Sequence, residues 1–210
     1  MFDSPAELTT SGTATLQLDV TAPVSEMNYE MQHTVHIYGA VDVLLSNAGY
    51  AEPGPVEHLE EQLIKSMQTN TSAAINLVPV IMPHWRERKM DYLVVDSSMG
   101  LYWGKITPDL GAYCASKAAL DCSTGINETL AAKVADLGYI KTLLIDAGFF
   151  RTNMAAPQKH AETLSSSWGN YPAFNDVWSN ITQQLHGDQP GDTAKGARLI
   201  VGLVRGRRHY

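Results

Sequence analysis

The sequence predicts an α/β fold of the doubly wound class, a parallel sheet covered by helices on both faces. Two observations predict it. Short runs rich in Val, Leu and Ile recur along the chain, each bounded by turn residues, as strands buried on both faces require. Between them lie segments whose apolar residues repeat every three or four positions, the pattern of amphipathic helices.

In order, TATLQLDVT (13–21) alternates and then runs apolar, and is read as the first strand. Residues 22–38 form a helix with Val24, Met27, Met31, Val35 and Tyr38 on one stripe. His33 and His36 lie off that stripe and are read as solvated, not as metal ligands. Gly39 ends this helix, and VDVLLSNAG (41–49) is a strand running into a glycine turn. A helix follows over 60–88, bent by Pro79 and Pro83. DYLVVDSS (91–98) is the next buried strand. GAYCASKAALDCSTGINETLAAKVADLG (111–138) is a long helix stopped by Gly138, and YIKTLLIDAG (139–148) is a strand. NDVWSNITQQL and TAKGARLIVGLV are the last two helices. No repeat or low-complexity linker interrupts the series, so residues 1–210 are read as one domain.

Composition removes several functions. The chain is 44% hydrophobic, enough for a sizeable core, and 18% charged with a net charge of −7. That acidic balance argues against nucleic acid or an anionic membrane as partner. The basic cluster RGRRHY at the end is read as a solvated tail. AAINLVPVIM, the longest apolar stretch, is too short and too proline-interrupted to span a bilayer. MFDSPAELTT lacks the charged-then-apolar pattern of a secretory signal, so a cytoplasmic protein is expected. The matches to Asn-x-Ser/Thr at Asn70, Asn127 and Asn180 then carry no glycosylation message. Cys114 and Cys122 fit no zinc or redox spacing and are read as reduced core thiols; no metal site is expected.

In a doubly wound sheet, ligands bind beyond the carboxyl ends of the strands. There the sequence places Asp19, then Asn47-Ala48-Gly49, then Ser97-Ser98, then Ala147-Gly148. Tyr113 and Lys117 begin the helix after the serines, four residues apart and so on one helical face. A tyrosine titrates near pH 10, too high for proton shuttling near neutrality. An ammonium one turn away favours the phenolate, and a tyrosine so tuned can give a proton to an alkoxide or take one from an alcohol. A serine hydroxyl can fix the same oxygen. What remains is hydride transfer, which needs a nicotinamide. A serine hydrolase is disfavoured, because no G-x-S-x-G elbow surrounds Ser98.

With these residues in view, the sequence resembles the short-chain dehydrogenase/reductase family, over roughly residues 13–203. LDVT (18–21) is similar to the segment whose aspartate, here Asp19, contacts the adenine. SNAG (46–49) resembles the family's NNAG turn, with Asn47, Ala48 and Gly49 near the adenine ribose. MQTNTSA (67–73) resembles the helix carrying the tetrad asparagine, here Asn70, which supports a water relay to the lysine. DSSMG (96–100) matches the strand-end serines, with Ser98 put forward as catalytic and Ser97 left as the alternative. AYCASKAAL (112–120) matches the signature helix and gives Tyr113 as acid/base and Lys117 as its tuner and ribose ligand. DAGFFRTNM (146–154) resembles the PG-x-x-x-T segment, so that Gly148, Phe150 and Thr152 hold the nicotinamide, with Ala147 where the family has proline.

The resemblance implies a Rossmann-like fold and an oxidoreductase that interconverts a ketone and a secondary alcohol with NADP or NAD, NADP slightly preferred. It implies a homo-oligomer, with helices 60–88 and 111–138 packed across a dimer interface. It makes 153–190 a substrate lid with Trp168, Tyr171, Phe174 and Trp178, near Tyr102 and Trp103. Those aromatics suit a flat or apolar substrate of polyketide, terpenoid or steroid type, or else form the core of the lid.

Two departures stand against the family pattern. The opening strand, TG-x-x-x-G-x-G turn, helix and second strand have no counterpart, and neither does the final strand, so the fold is expected to be truncated at both ends. The absent strands belong between 13–21 and 41–49, which leaves an open sheet edge, and the residue that separates NAD from NADP is absent with them. The alternative reading is therefore an impaired remnant, or a binding or oligomer subunit.

Overall fold

The computed structural model describes residues 12–88, 91–102, 109–123, 129, 132, 140–156, 171 and 173–206. Three strands, β1 (Val43–Ser46), β2 (Asp91–Asp96) and β3 (Ile140–Ile145), form a parallel sheet in that order. Val43 stands opposite Tyr92 and Ser46 opposite Val95, while Asp91 stands opposite Ile140 and Asp96 opposite Ile145. Three of the four predicted strands are there, but each stops short of its predicted end. The residues beyond, Asn47–Gly49, Ser97–Ser98 and Asp146–Gly148, become the loops at the carboxyl edge.

The helices follow the apolar periodicity. α1 (Val24–Tyr38) ends on Gly39, whose φ of +75° is the left-handed conformation that glycine adopts without penalty, and whose N–H bonds Val35 O at 2.7 Å. Met27 is buried against Leu77 and Val80, with Met31 and Leu44 beside them. The ends of the predicted stripe, Val24 and Tyr38, stay exposed, as do His33 and His36.

The predicted helix over 60–88 has three parts. α2 (Glu60–Ser66) leads into a π-helical stretch, Met67–Ser72, and then into α3 (Ala73–Arg88). α-Helical turns continue through Pro79 and Pro83, so the departure from α geometry lies at Met67–Ser72 and not at the prolines.

α3 supplies the core over the sheet. Ile81 and Trp85 are completely buried and pack with Leu93, Val95, Leu120 and Ile140. The Trp85 indole N–H donates to Val41 O at 2.8 Å, and His84 Nε2 accepts from Val41 N at 3.1 Å. One helix thus fixes the chain as it enters β1. Trp85→Ala should lower unfolding stability by about 3–5 kcal/mol, because it empties a large buried volume and strands the Val41 carbonyl. Urea unfolding measures this, and a loss below about 1 kcal/mol would show that the site collapses around the gap.

α4 (Gly111–Cys122) is the described part of the predicted helix over 111–138; Asn127 and Gly138 lie outside the described residues. Leu120 points into the core, and Cys122, two positions on and so across the helix, is exposed. The expectation of two core thiols is corrected here: Cys114 is half-buried and Cys122 faces solvent. α5 (Phe174–Leu185) and α6 (Thr193–Val204) match the last two predicted helices.

The predicted first strand, 13–21, does not form. Residues 13–19 carry no regular structure, and Leu16 and Leu18 are exposed. Alternation of side chains prepares a segment for a sheet, but a strand exists only where its backbone groups find a partner. Here the segment is held by Tyr38, whose hydroxyl accepts from Ala14 N at 2.9 Å, and by a turn at Asp19, whose carbonyl accepts from Ala22 N. Among the described residues β1 pairs on one side only, with β2. The expected open edge is thus present. Beside β1 lies a cleft of about 280 Å³, with Leu18, Val20, Met31, Val43 and Leu45 in its walls.

The chain divides into two compact units. The first holds the sheet, α1, α3 and the end of α4. The second gathers Tyr50–Ser66, Ser98–Ala118 and the chain from Asp146 onward.

Candidate active site

In the second unit, the loop after β2 and the start of α4 meet at Gly100. Ser98 Oγ accepts from Gly100 N at 3.0 Å. A Cβ on Gly100 would lie 3.0 Å from Ser98 Oγ and 3.1 Å from Tyr113 Cε1. A methyl group there would have to push one of them back by a few tenths of an ångström, so a glycine lets the serine hydroxyl and the phenol ring close on the backbone from two sides without displacement. The Gly100 carbonyl is held in turn by Cys114 Sγ at 3.2 Å. Because Ser98 Oγ accepts from Gly100, its own proton remains available to another oxygen.

Ser97 is different. It is 2% exposed, and its Oγ has no hydrogen-bond partner among the described residues. Ser98, not Ser97, shares the second unit with Tyr113.

α4 carries the other two groups. Tyr113 and Lys117 are 8% and 5% exposed, one turn apart on an alanine-rich helix. A lysine this buried is uncommon unless its ammonium is paired. Ser116, fully buried between them, bonds back to Tyr113 O at 2.8 Å and fills the helix side with a small group.

The segment after β3 is joined to the serine loop, since Met99 N donates to Ala147 O at 3.0 Å. Gly148 follows, with Met99 Sδ 3.9 Å from where its Cβ would be. Thr152 Oγ1 accepts from Met154 N at 3.3 Å and caps a short 3₁₀ turn, Asn153–Ala155. Ser98, Tyr113, Lys117, Gly148, Phe150 and Thr152 thus belong to one connected part of the fold.

The remaining predicted residues lie in the first unit. Leu18, Val20, Asn47 and Ala48 line the cleft beside β1, so the segments of Asp19 and Asn47 converge there as expected. The Asp19 side chain serves its own turn: Oδ1 accepts from Thr21 Oγ1 at 2.7 Å and Thr21 N at 2.8 Å, and these bonds hold the carboxyl below the usual carboxylate range. The predicted glycine turn is corrected as well. Asn47, Ala48 and Gly49 are exposed and carry no assigned turn, and Gly49 has no positive φ. Asn70 is 1% exposed within the π-helical stretch, beside buried Thr71. Single π-turns inside α-helices occur frequently at functional sites.

The segment expected to be a lid, 153–190, is described at 153–156 and from Tyr171 onward apart from residue 172; Trp168 and Trp103 lie outside the described residues. Phe174 and Trp178 are buried, and the Trp178 indole donates to Asp109 Oδ2 at 3.1 Å. Burial pushes the Asp109 carboxyl up, against the lowering effect of that bond. These two aromatics are therefore core residues of the second unit. Tyr171 and Tyr102 are exposed, and Tyr171 donates to Glu57.

Gly100 is the site residue that sequence reading missed. The signal available was a glycine two residues past a strand-end serine, which by itself reads as a turn. Gly100→Ala should lower kcat by roughly ten- to a hundredfold with the melting temperature little changed, since misplacing a reacting group by about an ångström costs on that order. Steady-state kinetics with a thermal melt decide it; full kcat in the alanine variant would show that the loop absorbs the methyl group elsewhere.

The sequence pattern of the short chain dehydrogenase family matches residues 4–163. The chain belongs to the short chain dehydrogenase family. It is 33% identical over 152 residues to an uncharacterized oxidoreductase of Schizosaccharomyces pombe, covering 70% of this chain and 61% of that protein. It is 35% identical over 177 residues to retinol dehydrogenase 8 of Homo sapiens, covering 80% of this chain and 55% of that one. The chain spans less than two-thirds of the length of these curated relatives. A short-chain dehydrogenase/reductase from Burkholderia phymatum, solved in complex with NAD, superposes with a TM-score of 0.75 over 97% of this chain and 72% of its own, at 19% identity, a likeness of fold. The Rossmann-like α/β class read from the sequence is thereby borne out. No helix among the described residues is long and apolar enough to cross a membrane.

Proposed function

We propose that the protein is an NAD(P)-dependent oxidoreductase that interconverts a ketone and a secondary alcohol. The observation that carries the reading is the meeting of Ser98 and Tyr113 around Gly100, with Lys117 buried one turn further along α4. Ser98 donates to the substrate oxygen and fixes it. Tyr113 gives that oxygen its proton in reduction and removes it in oxidation. Lys117 stabilises the phenolate and holds the nicotinamide ribose. Gly148, Phe150 and Thr152 hold the nicotinamide itself, and Asn70 is the fourth member of the proton-handling set. When bound, the dinucleotide supplies the hydride.

Each unit by itself offers groups that suit part of that cofactor: in the second, Thr152 and the Tyr113/Lys117 pair suit a nicotinamide and its ribose, and in the first, the cleft with Asn47, Ala48 and the chain around Asp19 suits an adenine. NADP is slightly preferred over NAD. No glycine turn opening a helix toward a pyrophosphate occurs among the described residues, and the open β1 edge accompanies that gap. These two observations favour a second reading, in which this chain alone is a weakly active or inactive remnant.

For the substrate, an apolar carbonyl or alcohol fits best. Met99, Tyr102, Phe149 and Met154 are exposed in the second unit, and one relative is named a retinol dehydrogenase. The same reading makes 153–190 the substrate lid within one domain, in a cytoplasmic homo-oligomer. The test is turnover of a panel of apolar ketones and secondary alcohols with each dinucleotide, followed by nicotinamide absorbance, beside a cofactor titration. Turnover of apolar over small polar substrates supports the reading. Tight cofactor binding without turnover would favour a binding protein.

A further inference from the structure

The segment after β3 has Ala147 where a proline would stiffen the turn, so its rigidity must come from elsewhere. The structure shows from where. Gly191 N donates to Phe149 O at 2.7 Å, and Arg151 N donates to Gly191 O at 2.9 Å, forming a parallel bridge between Phe150 and Gly191. The Arg151 guanidinium reaches the same partner segment twice: to Gln189 O at 2.8 Å and to Asp192 Oδ2 at 3.4 Å. Asp192 uses its other oxygen to cap α6, accepting from Lys195 N at 2.9 Å. Gln189 is buried, with Oε1 accepting from Gly187 N.

Two glycines allow this approach. A Cβ on Gly191 would fall 2.5 Å from Phe149 O, and one on Gly196 would fall 2.7 Å from Phe150 Cε1. The backbone of 149–151 is therefore fastened to the start of α6 by two main-chain bonds, a guanidinium fork and a ring seated on a glycine.

We infer that Arg151, with Gly191 and Asp192, is a positioning residue that locks Phe149–Thr152 in the conformation that receives the nicotinamide. The inference rests on the oxidoreductase reading. A segment ordered before binding removes the ordering cost from the binding step, and apparent affinity falls by the fraction of molecules in which the segment is loose. The exposed ion pair to Asp192 contributes little by itself. The charge-assisted bond to the carbonyl of buried Gln189 is the stronger link, and it needs the planar fork of an arginine.

The experiment compares wild type, Arg151→Met, Arg151→Lys and Asp192→Asn, the last keeping an α6 cap while removing the charge. Hydrogen exchange by mass spectrometry, without cofactor, should rise about tenfold in peptides covering 148–154 and 189–193 of Arg151→Met and stay unchanged elsewhere. The Michaelis constant for the dinucleotide should rise about tenfold with kcat retained. Arg151→Lys should recover part of both effects, and Asp192→Asn should change either by less than Arg151→Met does. Unchanged exchange in Arg151→Met overturns the clasp. Raised exchange with an unchanged Michaelis constant overturns the positioning role. A wild type that takes up no dinucleotide overturns the positioning role together with the oxidoreductase reading, while the exchange result alone still decides whether the clasp exists.

Discussion

Tyr113→Phe is expected to remove nearly all turnover, a loss of roughly two to four orders of magnitude in kcat, while the fold and cofactor affinity stay close to wild type. The substitution deletes one oxygen from a ring that is 8% exposed and packed beside Gly100. Ring volume is kept, so little repacking follows. On the proposed roles, what is lost is the proton that the substrate oxygen must receive or surrender. Ser98 would still hold that oxygen, so binding should survive better than chemistry. The measurement is kcat and Michaelis constants for both substrates, with a thermal melt as control. Retained kcat would mean that another group transfers the proton, and the role given to Tyr113 would have to be withdrawn.

The second large effect is expected in cofactor binding. The 210-residue chain by itself should bind NAD(H) and NADP(H) weakly. The contacts proposed for its described residues are with the adenine, the riboses and the nicotinamide, and none of those proposed is with the pyrophosphate, the most highly charged part. A glycine turn at a helix N-terminus supplies oriented N–H donors to that group. At about 1.5–3 kcal/mol for each charge-assisted bond, the lack of two donors weakens binding by roughly two to four orders of magnitude. Titration of purified chain with reduced cofactor, followed by nicotinamide fluorescence, measures it. A dissociation constant in the low micromolar range would sink this expectation and imply that another segment or a second subunit rebuilds the phosphate site.

The fold was legible where side-chain pattern and partner coincided. VLLS, DYLVVD and IKTLLI are apolar runs that find neighbours, and TAKGARLIVGLV has its Asp192 cap and its period in the same few residues. TATLQLDV has the pattern without the neighbour, so its strand failed to form. The π-helical stretch at Met67–Ser72 was beyond sequence reading because helical propensity does not encode it. Asn70 and Thr71 are buried there, and their packing belongs to the tertiary fold.

The site was legible to the extent that it is local. Tyr113 and Lys117 share a helix turn, and their burial follows from the small residues around them. Ser97 against Ser98 was not decidable from the sequence, since adjacent residues past a strand end differ only in which way the loop turns. Gly100, Arg151 and Gly191 were invisible because each acts on a segment distant in sequence, and their spacing alone resembles ordinary turns.

The register of the sheet has a consequence for how the chain reaches its fold. Val43 pairs with Tyr92 and Asp91 with Ile140, so each ladder joins positions about fifty residues apart. No hairpin can nucleate this sheet. Closing a loop of that length costs roughly 3 kcal/mol in chain entropy beyond the fixed term, and two such closures precede the complete three-stranded sheet. The helices are local and form early, whereas the strands must wait and leave VLLS and LVV uncovered in the meantime. Refolding from urea should accordingly be slow, and its yield should fall as protein concentration rises, because collision between two half-folded chains competes with a closure that each must complete alone.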